Sequence, residues 1–163
     1  MFKILNVKKY FLLIFFISIF SLIYAIYVEF ILSHKPCKLC IYQRIPYVSA
    51  IFICFFGFAL KKKLFWLSFL TLTFAISTLI SGYHVGIENS IFMEFSGCSN
   101  TNTGLINKKD ILESLKNIIP SCKEVNFKIL GLSLATINLL MSIVITFITA
   151  RLYLYEKNRS NKS

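Results

Sequence analysis

Residues 45–83 read IPYVSAIFICFFGFAL, then KKK, then LFWLSFLTLTFAISTLISGY. Two apolar blocks, Ile45–Leu60 and Leu64–Tyr83, flank Lys61, Lys62 and Lys63. Three consecutive lysines do not enter hydrocarbon, so the chain turns there and goes back. The first block has only 16 residues, short of the roughly 20 that cross a bilayer. Starting near Leu39 lengthens it to 22 and puts Arg44 inside the boundary, from where its guanidinium can snorkel outward. Pro46 then falls within the helix, which leaves a bend or a later start open. The second block can continue to Glu88.

Two further apolar runs lie outside this pair: Tyr10–Leu32, with Glu29 near its outer end, and Ile129–Ala150, followed by the polar tail RLYLYEKNRSNKS. The first follows Lys3, Lys8 and Lys9 as a signal peptide would. It is too long for an ordinary h-region and no A-x-A-type site follows, so it reads as an uncleaved span. With 56% apolar and 15% charged residues over 163 positions, neither a soluble domain nor disorder fits. The expected architecture is an all-α membrane protein. It forms a single domain over 1–163, an antiparallel four-helix bundle with spans near 10–32, 39–60, 64–85 and 129–150.

The net charge of +11 is carried by short basic groups between apolar blocks, not by a basic helix or patch, which argues against nucleic-acid binding. Segments 1–9, 61–63 and 151–163 hold ten Lys or Arg in 25 residues, whereas 33–44 and 86–128 hold eight in 55. That asymmetry predicts both termini in the cytoplasm and loops 33–44 and 86–128 outside. In the longer loop Asp110 and Glu113 can cap a helix over about 110–119, with Ile111, Leu112, Leu115, Ile118 and Ile119 along one side and Pro120 ending it. So short an amphipathic helix is expected to lie on the bilayer surface or across the bundle end. Gly131 with Ala135, and Ser21 with Ala25, have small-xxx-small spacing for helix packing, and Ser133 and Asn138 can hydrogen-bond between helices.

Both outer loops carry cysteine pairs: Cys37 and Cys40 in one, Cys98 and Cys122 in the other. Four cysteines allow three pairings, and the residues alone do not choose among them. Structural disulfides are one reading. A four-thiolate zinc site is weaker, because Cys98 and Cys122 lack a compact ligand spacing, and no metal is assigned. Redox exchange fits better, since Cys-x-x-Cys at a helix start favours thiolate and Arg44 lies one turn beyond Cys40. A thiolate beside a guanidinium at the lipid boundary suggests electron transfer to a membrane-soluble acceptor such as a quinone. Cys54, inside a span, reads as a small buried hydrophobe. By position alone, His84 reads as an interfacial hydrogen-bonding residue that can share a face with Glu88, and Glu29 as a boundary residue that caps or pairs.

The run Lys35-Pro36-Cys37-Lys38-Leu39-Cys40-Ile41-Tyr42-Gln43-Arg44 resembles the DsbB family of membrane disulfide-generating proteins. Gly82-Tyr83-His84-Val85-Gly86-Ile87-Glu88, Cys98, Cys122-Lys123-Glu124 and Leu130-Gly131-Leu132-Ser133-Leu134 extend the likeness across nearly the whole chain. The resemblance implies a protein-dithiol:quinone oxidoreductase of the bacterial inner membrane. Cys37 and Cys40 would pass electrons to ubiquinone or menaquinone, with Cys40 nearest the quinone and Arg44 and His84 binding it. Cys98 and Cys122 would form the loop disulfide that oxidises a periplasmic thioredoxin-like, DsbA-type partner, and Cys122 would exchange with Cys37. The loop helix near 110–119 resembles the family's surface helix. Gln43 stands where some members carry Glu and is given no role. The alternatives are a vitamin K epoxide reductase-like enzyme, whose Cys-x-x-Cys lies late in its bundle, and a non-enzymatic membrane protein with inert disulfides or a metal site.

Overall fold

A computed structural model of the chain describes residues 6–60, 62–93, 121–123, 128–129 and 131–161. Cys98 and the expected helix near 110–119 lie outside the described residues. Four long helices make the fold: α1 (Val7–Phe30), α2 (Lys38–Ala59), α3 (Lys63–Glu88) and α4 (Leu134–Ser160). Each is long and apolar enough to cross a membrane. Helix α1 packs on α2, α2 on α3, and α3 on α4.

Local chemistry sets the helix starts. Asn6, Cys37 and Ser133 cap α1, α2 and α4, each accepting from a backbone N–H in the first turn. Because α2 starts at Lys38, it covers 22 residues and runs through Pro46, which resolves the short apolar block in favour of the early start.

The start of α4 departs from expectation. Lys128–Ile129 and Leu132–Ser133 form a two-stranded antiparallel hairpin, β1 and β2, so the helix begins at Leu134 and not near 129. Gly131 turns the hairpin at φ +83°, a conformation open to glycine without steric cost. It therefore precedes α4 and does not pair with Ala135 on a helix face.

The bundle is apolar inside and outside. Phe11, Ile14, Ala50, Cys54, Leu67, Leu70, Phe74, Ile145 and Leu152 are buried between helices. Leu13, Phe16, Phe20, Phe52, Phe55, Leu72 and Leu79 point outward and exposed, as a lipid solvent requires. With lipid as apolar as the core, hydrogen bonds help to set which helix faces meet. Tyr47 donates to Asn138 Oδ1 at 2.5 Å, the Asn138 amide donates to Ser81 Oγ at 2.8 Å, and the Ser77 and Ser142 hydroxyls are hydrogen-bonded at 2.9 Å. Tyr10 meets Thr149 at 2.6 Å and ties α1 to α4. Each such bond contributes about 0.6 kcal/mol. The interhelical role expected of Asn138 is thus present.

Candidate thiol-exchange site

At one end of the bundle, the start of α2, the end of α3 and the segment 121–123 converge. Cys37 is the cap of α2, so its sulfur lies at the helix mouth and accepts from the Cys40 N–H at 3.3 Å. The two-residue spacing places Cys40 one turn on, and the Cys37 thiol donates to Cys40 Sγ at 3.0 Å. That bond, and next burial, push the Cys37 thiol up to about 12, with His84 acting in the opposite direction.

Cys122 is brought to the same place from far along the chain. It is 2% exposed and packs with Cys37, Leu39 and Ile87, with Cys40 and Tyr83 alongside. His84 enters from α3, itself 3% exposed, with Nε2 3.6 Å from Cys37 Sγ. The ligand atoms of Cys37, His84 and Cys122 all lie within 4.8 Å of one another.

Two further groups hold the imidazole. The Gln43 side-chain amide is 3.0 Å from His84 Nδ1; with that amide donating, the ring proton sits on Nε2 and faces Cys37. Glu88, one turn beyond His84 on the same face as expected, reaches Nε2 at 3.8 Å, and Ser133 donates to its other oxygen at 2.5 Å. The end of α3 is closed by Ser90 at φ +59° and by the Ile91 and Phe92 N–H groups, which donate to Gly86 O. Phe92 then lies directly over Gly86, where any side chain would collide with its ring. Arg44, one turn beyond Cys40, makes an ion pair with Glu29 of α1, at 2.5 Å and about one-quarter exposed.

Residues 7–152 match the family model described as Disulfide bond formation protein DsbB. The chain belongs to the DsbB family. It is also 30% identical, over 99% of its length and 92% of the relative's, to the uncharacterized protein RP370 of Rickettsia prowazekii (strain Madrid E). It is 37% identical to the SPbeta prophage-derived disulfide bond formation protein B of Bacillus subtilis (strain 168), over 50% of this chain and 55% of that one. The chain is therefore a multi-pass inner-membrane redox enzyme, and the grouping of Cys37, Cys40, Cys122 and His84 is consistent with a redox relay.

DsbB membership also implies interaction with quinone, and the residues present fit one. An apolar groove of about 540 Å³ opens between α2 and α3, lined by residues that include Leu39, Tyr42, Ile45, Pro46, Leu79 and Tyr83. Leu39 and Tyr83 also pack around Cys37 and Cys122, so the groove's outer end is one residue removed from the thiols. Cys40, Arg44 and His84 are not among its lining residues. Arg44 turns instead toward α1, where it pairs with Glu29, and Cys40 packs against the cluster of Cys37, Leu39, Ile87 and Cys122.

The residue to which the sequence assigns no role is Gln43, standing where some family members carry Glu, which proves to hold the ring of His84. A glutamine within an apolar span, four residues before Tyr47, is the signal in the sequence, and in the fold its side chain is 7% exposed. A polar side chain on the inner stripe of a membrane helix needs a partner.

Proposed function

We propose that the chain is a protein-dithiol:quinone oxidoreductase that reoxidises a periplasmic, thioredoxin-like carrier of DsbA type. The observation that carries this reading is Cys122 packed against Cys37 while Cys40 contacts Cys37 at 3.0 Å. One sulfur thus stands between its exchange partner from the long loop and its partner within Cys-x-x-Cys.

The carrier's thiolate attacks Cys98 of a Cys98–Cys122 disulfide, and Cys122 leaves as a thiolate. The carrier's second thiol resolves the mixed disulfide, leaving the carrier oxidised and Cys98 reduced. Cys122 then attacks Cys37 of the Cys37–Cys40 disulfide, forming a Cys37–Cys122 bond and releasing Cys40 as thiolate. Cys98 displaces Cys37 to restore the loop disulfide, so the electron pair now resides on Cys37 and Cys40. His84 Nε2, 3.6 Å from Cys37, is placed to deliver a proton to this sulfur as Cys98 displaces it. Quinone supplies the two-electron acceptor for the Cys37–Cys40 dithiol. Arg44, fixed by Glu29, places a cation one turn beyond Cys40 and favours negative charge there. Both loops lie in the periplasm and both termini in the cytoplasm, as the basic residues direct.

Purified protein mixed with reduced carrier and quinone should consume carrier thiols and quinone absorbance in step. Cys40→Ser should abolish both. Quinone-coupled turnover at the parental rate in that variant would overturn the assignment.

A further inference from the structure

We propose that the reduced chain binds one thiophilic divalent cation, zinc by its chemistry, on Cys37, His84 and Cys122. This site does not depend on quinone or carrier. Its ligand atoms come from three separate parts of the chain and lie within 4.8 Å of one another, all buried. A tetrahedral zinc with sulfur at about 2.3 Å and nitrogen at about 2.0–2.1 Å holds those two ligands about 3.5–3.6 Å apart. Cys37 Sγ and His84 Nε2 are 3.6 Å apart.

The surroundings are also those of a metal site. Ligating histidines hold their second ring nitrogen in a hydrogen bond that sets the tautomer. Gln43 stands 3.0 Å from Nδ1; with its amide turned over, Oε1 accepts the Nδ1 proton and Nε2 presents its lone pair to the cation. Glu88 Oε1 lies 3.8 Å from Nε2 and is steadied by Ser133, but the set of ligand atoms within 4.8 Å of one another is Cys37, His84 and Cys122, so water fills the fourth position. Binding converts the Cys37 and Cys122 thiols to thiolates and releases two protons, with no change of oxidation state. Any disulfide at either sulfur removes a ligand, so binding is confined to the reduced chain. Occupancy also sequesters both sulfurs that the exchange needs, making zinc an inhibitor that holds the reduced form.

Cobalt(II), followed by zinc, titrated into the reduced full-length protein in detergent tests this directly. One equivalent of cobalt should bind with sulfur-to-metal charge-transfer absorption, and zinc should displace it. Cys122→Ser and His84→Ala should each weaken binding at least about tenfold and Gln43→Ala about 10–100-fold, while Cys40→Ser and Cys54→Ser retain it. The oxidised parental protein, with the same sequence and fold, should bind none. Failure of the reduced protein to take up a stoichiometric cation would overturn the proposal. So would equal binding by reduced and oxidised protein, undiminished binding in His84→Ala, or loss of the charge-transfer band in Cys40→Ser.

Discussion

Cys37 and Cys54 are both buried, at 6% and 1% exposed, and both belong to the α2 region, yet their surroundings differ completely. Cys54 lies among Tyr47, Ala50, Leu70 and Phe74 in the apolar core, and no hydrogen bond holds it among the described residues. Cys37 stands at the helix mouth with a second thiol, a third sulfur nearby and an imidazole. Burial alone is therefore uninformative about a thiol in this protein. Its neighbours decide whether the sulfur packs or exchanges.

The contrast is broken most severely by replacing the exchanging sulfur. Cys37→Ser should bring quinone-coupled carrier oxidation below detection, measured as loss of carrier thiols, whereas Cys54→Ala should leave the rate unchanged. Next comes His84→Ala, which removes the group facing Cys37 and should slow exchange between the two cysteine pairs by about 10²-fold. Rapid-quench trapping of the reduced pairs reads that step. With limiting maleimide on the reduced protein, Cys40 should label at least about tenfold faster than Cys37, because Cys37 is buried and its thiol is pushed up whereas Cys40 is partly exposed; peptide mass spectrometry gives the ratio. Gln43→Ala should cost about fivefold in exchange rate, the equivalent of one hydrogen bond of about 1 kcal/mol. The smallest effect falls far from the thiols. Asn138→Leu, which removes bonds to Tyr47 and Ser81, should lower unfolding stability by about 1 kcal/mol without changing the rate per folded molecule.

The same contrast separates what could be read along the chain from what could not. Four apolar runs and the Lys61–Lys63 turn report directly on the bundle, since length and charge govern membrane insertion locally. Cys37 and Cys40 form a local pair, as do His84 and Glu88 at i, i+4. The meeting of Gln43 with His84 spans 41 positions, and no spacing rule reaches across separate helices. Ser133 was foreseen as an interhelical donor, but its partner Glu88 was not. Small-xxx-small spacing puts Gly131 on the fourth span, because it carries no sign of the left-handed conformation that makes this glycine a turn.

Trapping is the most direct trial of the claim that loop and helix thiols meet on one membrane face. In a Cys40→Ser, Cys98→Ser double variant, gentle oxidation of the membrane-embedded protein leaves Cys37 and Cys122 as the candidate pair outside the core. A rapid, concentration-independent Cys37–Cys122 disulfide, identified by peptide mapping, is the predicted result. Persistent separate thiols, labelled by impermeant reagents from opposite sides of the bilayer, would contradict it.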